Sequence, residues 1–412
     1  MKTANDVTIR VFEHQRVEIG ERVGESHFTA ELWQALRDFQ SQQARPFFKV
    51  LPGGIAFSSY VGAIQTKYGL VEIWPKTDRA EKATWQPFLL ELLTSCRCFP
   101  VFTPDMGLIR PGVFPLVSAF LLSFINEVEL WIKKGPSPQY EMQIQSSRAW
   151  KGSVQWGEQI KRQLTHADEI ITQTQVFTSD HRLNRVIKLA LQLACNVLPA
   201  SKDRVKALGL LDRLAHWGDI HSRRIDWDQI MRCPMDPSFQ TIISMSKAII
   251  TGYSGGIGVG KSPVLALLFD MNVLFETYVH RQLAQLQLPG LRVSRQPGRS
   301  FWLDRVLIPD IVMQYQEKKW VLDTKWKLLT QAKPSMDDLR QLFVYMQYFQ
   351  AAQGALIYPD INGLNDIPPT PFADRGDGSQ ERLVQVCFVS LVKNGRLNRE
   401  FGRDLLEKIA RW

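Results

Sequence analysis

Two aspartates and a lysine stand on a pair of short apolar runs, Asp310 within Val306 to Met313 and the Asp323-Thr324-Lys325 triplet within Trp320 to Trp326. Such runs, rich in β-branched and aromatic residues, read as consecutive strands of a β-hairpin. With an even-length loop centred between Gln316 and Glu317, Asp310 falls directly opposite Asp323. Opposed residues of an antiparallel pair have Cβ atoms roughly 4.5–5.5 Å apart, and like charges there are destabilising unless something neutralises them. A divalent cation does so best. Side chains alternate along a strand, so Lys325 lies on the face of Asp323 and can reach the same place. One acid in an apolar strand is most often an edge or ion-paired residue, but two acids with an amine point to a site. Pro309, lacking an N–H, suits a strand start or edge. The turn has no Asn-Gly or glycine to fix it, so a three- or five-residue loop that shifts the register by one stays open.

The elements on either side must position this pair. Before it, a helix from about Pro263 to Leu286 carries Glu276, spaced with Phe269, Val273 and His280 along one face, so that its carboxylate is expected to point inward. A strand near Leu291 to Ser294 follows. After the hairpin, Pro334 and the capping-box spacing of Ser335 and Asp338 mark a helix running to about Ala352, on which Gln341 and Tyr345 are four apart and share a face. Gly354 to Tyr358 and Leu383 to Leu391 read as strands, and Arg399 to Trp412 as a last helix. Residues 281–300 hold Arg281, Arg292, Arg295 and Arg299 with no acid, a stretch able to track phosphates.

The whole chain is expected to be an α+β multidomain protein: a strand-rich domain over 1–112, a mixed and largely helical region over 113–235, and a C-terminal α/β domain over 236–412. At 412 residues with 45% hydrophobic content it is long enough for two or three sizeable cores, and at 22% charged it is neither disordered nor fibrous. A net charge of +9 favours a polyanionic partner without requiring one. Five cysteines, an odd number, without an apolar leader suggest a reducing cytoplasm. Cys96-Arg97-Cys98 lacks a second pair at zinc spacing, and His216 and His221 lack partners, so neither is read as a metal site. The longest apolar stretch, Val113 to Ile125, falls short of the ~20 residues a membrane-spanning helix needs. No membrane association and no targeting peptide are expected.

This constellation resembles the PD-(D/E)XK nuclease core, and specifically the McrC family, the nuclease subunit of McrBC-type restriction systems. The likeness is carried by Tyr60-Val61-Gly62-Ala63-Ile64-Gln65 with Val71-Glu72-Ile73-Trp74-Pro75-Lys76, by Ser179 to Lys188, and by Leu268 to Glu276. Ile308-Pro309-Asp310, Asp323-Thr324-Lys325 and the Gln341/Tyr345 helix complete it. The resemblance implies a DNA endonuclease in which Asp310 and Asp323 bind Mg²⁺ (Mn²⁺ substituting) with the Thr324 carbonyl, and Lys325 orients or activates the attacking water. Glu276 joins the metal directly or through water, and Gln341 and Tyr345 support the site or contact the DNA backbone. It also implies two partners: double-stranded DNA, modified, and a McrB-like hexameric AAA+ GTPase, docked by the N-terminal half, whose GTP hydrolysis this chain stimulates.

A competing signal is Gly255-Gly256-Ile257-Gly258-Val259-Gly260-Lys261-Ser262, which fits the phosphate-loop pattern of an NTPase, with Ala248-Ile249-Ile250 as the strand before it and Leu322-Asp323 as a distant strand end. Pro263 directly after the serine weighs against it, and glycines this dense also make a plain linker. A third possibility is a DNA-binding adaptor with a decayed nuclease core, against which the intact acid pair and lysine stand.

Overall fold

A computed structural model describes residues 7–43, 45–76, 85–96, 116–148, 150, 152–162, 169–198, 201–254, 264–360, 363–373, 381–393 and 396–411. The chain divides into two compact units, Met1–Leu116 with Leu268–Trp412, and Val117–Leu267. Stretches 1–112 and 236–412, which the sequence pattern suggested as separate, thus fall mostly within one unit. Helices and several sheets are mixed throughout.

In the first unit the strand Thr8–Phe12 runs parallel to Gly69–Trp74, which pairs antiparallel with Tyr60–Thr66. All six residues of Gly69–Trp74 are buried, as a strand covered on both faces should be. Its one acid, Glu72, takes the Arg10 guanidinium at 3.3 Å. Thr29 caps the following helix Ala30–Ser41, its hydroxyl accepting from Leu32 N at 3.3 Å.

The C-terminal part of this unit is built on a six-stranded sheet, in the order Arg292–Arg295, Ile311–Tyr315, Lys318–Thr324, Gln353–Pro359, Leu383–Val389, Ile367–Pro371. Three of its four inner strands, Lys318–Thr324, Gln353–Pro359 and Leu383–Val389, are mutually parallel, and the remaining pairings are antiparallel. Helix Met336–Phe349 makes the crossover between Lys318–Thr324 and Gln353–Pro359, as a parallel pair requires. Ser335 starts it by accepting from Asp338 N at 3.2 Å. Leu342, Met346 and Phe349 pack on Val321, Leu356 and Phe388. Gly354 permits that approach, since a methyl group there would lie 2.5 Å from Met346 Sδ.

One local expectation is corrected, and two further elements take a definite form. The stretch 264–270, expected as helix, is the strand Val264–Asp270, and the helix is Met271–Ala284, capped by Asp270 Oδ1 on Asn272 N at 2.9 Å. A continuous apolar run carries no periodicity, so length and neighbours alone decide between strand and helix. Ala248–Ile250, the strand that the phosphate-loop reading would need, lies inside the helix Pro237–Gly252, begun by Asp236 and a proline in its first turn. In the second unit, among the helices Arg182–Val197, Lys202–Arg213 and Pro237–Gly252, Gln139–Ser147 and Ile170–Thr178 form a nine-residue antiparallel ribbon in the region read as mixed and largely helical. The period-two placement of Tyr140, Met142 and Ile144 was the signal for it; all three are exposed, so no buried face marks the strand. Among the described residues no helix is long and apolar enough to cross a membrane.

Candidate active site

The hairpin has the even-length loop. Ile311 pairs with Leu322 and Tyr315 with Lys318, so Gln316 and Glu317 make a two-residue turn. Both have positive φ, 49° and 65°, the left-handed pair that a type I′ turn needs and that glycine or asparagine usually supplies. Extending this register by one residue sets Asp310 opposite Asp323. The first strand is shorter than expected, however, and begins at Ile311; Arg305–Leu307 pairs instead with Arg299–Trp302 in a separate ribbon. Pro309 explains the break, because it offers no N–H to a ladder.

Asp310 is therefore held by its neighbours rather than by strand pairing. Its carbonyl accepts from Gln296 N at 2.9 Å, and its Oδ2 accepts from both the backbone N and the hydroxyl of Thr324 at 2.7 Å each. Asp323 is only 1% exposed. Burial, and then the facing Asp310, push its pKa up to about 7, although Lys325 opposes this. The Lys325 ammonium sits 2.6 Å from Asp323 Oδ2, yet that oxygen has no aligned hydrogen-bond donor. Burial disfavours the lysine's charge, but Asp323, Asp338 and Asp310 together hold its pKa above the ordinary value.

Helix Met336–Phe349 closes one side. Lys325 Nζ donates to Gln341 Oε1 at 2.8 Å, and Gln341 Nε2 to the Tyr345 hydroxyl at 3.0 Å, a continuous line from Asp323 to Tyr345. Glu276 stands apart from that line. It is buried, as expected, although Val273, placed on the same face by the sequence, is exposed and Phe269 precedes the helix. Its Oε1 accepts from Arg295 Nε at 3.0 Å and its Oε2 from Gln296 Nε2 at 3.2 Å. Burial and then Asp310 raise its pKa, so the two acids sense each other while Glu276 oxygens are engaged elsewhere.

Several members of the site were not singled out from the sequence. Asp338 accepts from Lys327 Nζ at 2.9 Å on each oxygen and from the Tyr358 hydroxyl at 3.0 Å, and lies 3.8 Å from Lys325 Nζ. No spacing signalled this contact, because the strand ends at Thr324, before both lysines. Glu13, fully buried, accepts the Trp326 indole N–H at 2.8 Å and Lys76 N at 2.8 Å, while Lys76 Nζ donates to Trp326 O at 2.9 Å. The N-terminal strands thus brace the residue next to Lys325. No sequence spacing links positions so far apart.

The donor set suits a hard divalent cation. Two facing carboxylates, one of them with its pKa held up by burial and then by the other, are what a cation would relieve. Among the described residues no group of three or more His, Cys, Asp or Glu side chains is gathered to hold a metal. Mg²⁺ needs no such cage, because it keeps several waters and takes one or two carboxylates.

The glycine-rich segment 255–262 lies outside the described residues. Its flanks are described. Tyr253–Ser254 and Val264–Leu265 pair antiparallel, and a strand rather than a helix follows Ser262. A phosphate loop leads from a strand into a helix N-terminus, and the downstream flank, a strand paired antiparallel with the upstream one, does not have that form.

Fold and site together define a mixed α/β protein with an acid pair and a lysine converging where an antiparallel hairpin joins a parallel sheet. The chain belongs to the family of McrBC 5-methylcytosine restriction system components, whose profile matches residues 55–359. Among solved structures it is similar to a chain of the refined half-complex from the tetradecameric assembly of Thermococcus gammatolerans McrB AAA+ hexamers with bound McrC, with a TM-score of 0.61 and 19% identity over 97% of this chain and 99% of that one. A chain from the cryo-EM structure of the Thermococcus gammatolerans McrBC complex gives a TM-score of 0.45 and 16% identity over 68% and 88%. At such identities the likeness concerns the fold. No curated protein matches the chain.

Proposed function

We propose that this chain is the metal-dependent DNA endonuclease subunit of a McrBC-type restriction complex, with a PD-(D/E)XK core that hydrolyses phosphodiester bonds. The observation that carries the reading is the convergence of Asp310, Asp323 and Lys325 at the open end of one hairpin, with Lys325 2.6 Å from Asp323 and anchored on Gln341 at 2.8 Å. Family membership supports the system, and the bound McrC and McrB hexamers named for the similar assembly support a hexameric AAA+ GTPase as partner.

Asp310, Asp323 and the Thr324 carbonyl are the oxygen donors that would hold Mg²⁺. When bound, the metal would lower the pKa of the attacking water and offset charge on the pentacoordinate transition state. Thr324 fixes one Asp310 oxygen through two hydrogen bonds, leaving the other for the ion. Lys325, beside Asp323 and anchored on Gln341, would orient or activate the attacking water with its ammonium. Gln341 and Tyr345 limit where that ammonium can go, and Arg295 with Gln296 keeps Glu276 beside the acid pair.

Plasmid cleavage with Mg²⁺ and the cognate GTPase tests this, the unaltered chain beside Asp310→Ala, Asp323→Ala and Lys325→Ala. Loss of cutting with retained stimulation of GTP hydrolysis is expected of all three; equal cutting by all four proteins would remove the assignment. Retained DNA binding with no cutting by any would favour the adaptor. The N-terminal strands, expected to dock the GTPase, also bury Glu13 against Trp326. Point substitution, not deletion, is therefore the way to map that contact.

A further inference from the structure

The strands Arg299–Trp302 and Arg305–Leu307 form a two-stranded ribbon apart from the main sheet, turning at Leu303 and Asp304. Its tip holds two large apolar side chains open to solvent, Trp302 at 65% and Leu303 at 77% exposed, beside the exposed pair Asp304 and Arg305. Leu303 also has a φ of 48°, a left-handed conformation that this turn position ordinarily assigns to glycine. A large apolar side chain thus occupies a strained, wet position where a glycine would fit without cost, a combination typical of contact elements.

The root of the ribbon is rigid. Arg299 Nη1 donates to Tyr348 O at 2.7 Å, its guanidinium lies 5.1 Å from the Phe349 ring centre, and Phe301 packs edge-on against Tyr348 at 5.1 Å. This ties it to the end of the helix that carries Gln341 and Tyr345. The returning strand leads through Ile308 and Pro309 directly into Asp310. Charge favours a polyanion here, with Arg292, Arg295, Arg299 and Arg305 against Asp304 alone across 291–308. Strands of three to four residues reach about 10–13 Å. That compares with a duplex major groove about 12 Å wide and about 8.5 Å deep, which admits a β-ribbon.

We propose that this ribbon is a DNA wedge: it enters a groove of the duplex next to the scissile phosphate and presses Trp302 and Leu303 into the base stack, while Arg305 contacts a flanking phosphate. The proposal rests on the nuclease reading above. Apolar side chains inserted between base steps unstack and kink a duplex, which would widen access of the acid pair to one phosphodiester.

The test uses the full chain, alone and assembled with its AAA+ GTPase, on a duplex carrying 2-aminopurine, with Ca²⁺ in place of Mg²⁺ to prevent cutting. Affinity is read by anisotropy and unstacking by 2-aminopurine fluorescence, for the unaltered chain, a Trp302→Ser/Leu303→Gly double variant and Arg305→Ala. Both positions are exposed, and an unchanged melting temperature checks the fold. The double variant is expected to bind at least tenfold more weakly and to lose the fluorescence rise. Arg305→Ala should keep the rise and lower the slope of log affinity against log salt by about one. Equal binding and unstacking by the double variant would overturn the wedge alone. So would unaltered DNA behaviour with failed assembly, which would make the ribbon a protein contact. No duplex binding by the unaltered chain in either form would overturn the wedge and the nuclease reading together.

Discussion

Titrating Asp323 is the most direct probe of the acid pair. The folded protein ionises this carboxyl at about 7 rather than at the ordinary 3.8. Between those values the native state keeps a proton that the unfolded chain has released, so raising the pH costs the metal-free protein about 1.4 kcal/mol per pH unit. The sum is on the order of 4 kcal/mol by pH 7, with nothing further lost above it. The charged groups facing Asp323 are Asp310, Lys325 and Asp338, and Glu276 faces Asp310. Glu276 is raised too and adds a slope of the same sign, so the comparison with Asp323→Asn is what isolates the one carboxyl. Binding of Mg²⁺ needs the ionised form. At pH 8.5 the ion at a hundredfold excess over its Kd should stabilise by about 2.7 kcal/mol. At pH 5.5 protonation weakens it about thirtyfold and removes most of that gain. Urea melts at pH 5.5, 7.0 and 8.5, in Mg²⁺ or in EDTA, supply the measurement. The same Mg²⁺ stabilisation at pH 5.5 as at 8.5, or its survival in Asp323→Asn, would refute the reasoning.

Three further outcomes are expected. Trp326→Phe removes a donor from the fully buried Glu13 and should cost about 1–3 kcal/mol in equilibrium denaturation. Gln341→Ala frees Lys325 from Tyr345 and should slow single-turnover cleavage about 10- to 100-fold, the range seen for residues that orient a ligand or base, with DNA affinity unchanged; a KM effect alone would argue against a positioning role. Lys261→Ala should leave plasmid cutting intact, and phosphate-release assays on the purified chain should find no NTP hydrolysis to lose, given the antiparallel strands that flank the glycine-rich segment.

The sequence by itself determined what depends on spacing along one element. Strand alternation placed Lys325 with Asp323, a four-residue helical step placed Gln341 with Tyr345, and Ser335 marked its helix start, because each relation is set by backbone geometry that any neighbour must accept. The facing of Asp310 and Asp323 followed once the loop length was even, although Gln316 and Glu317 gave no sign of it. Where local signals were silent, the tertiary structure decided. Val264–Asp270 became a strand and Ala248–Ile250 part of a helix, since an unbroken apolar run takes its form from what it packs against. Glu13 on Trp326 and Lys327 on Asp338 join residues whose contact no pattern encodes. The ionisation of Asp323 near 7 is likewise a property of the fold: the residue supplies a carboxyl, and only the exclusion of water around it, with a second acid in front, sets when it gives up its proton.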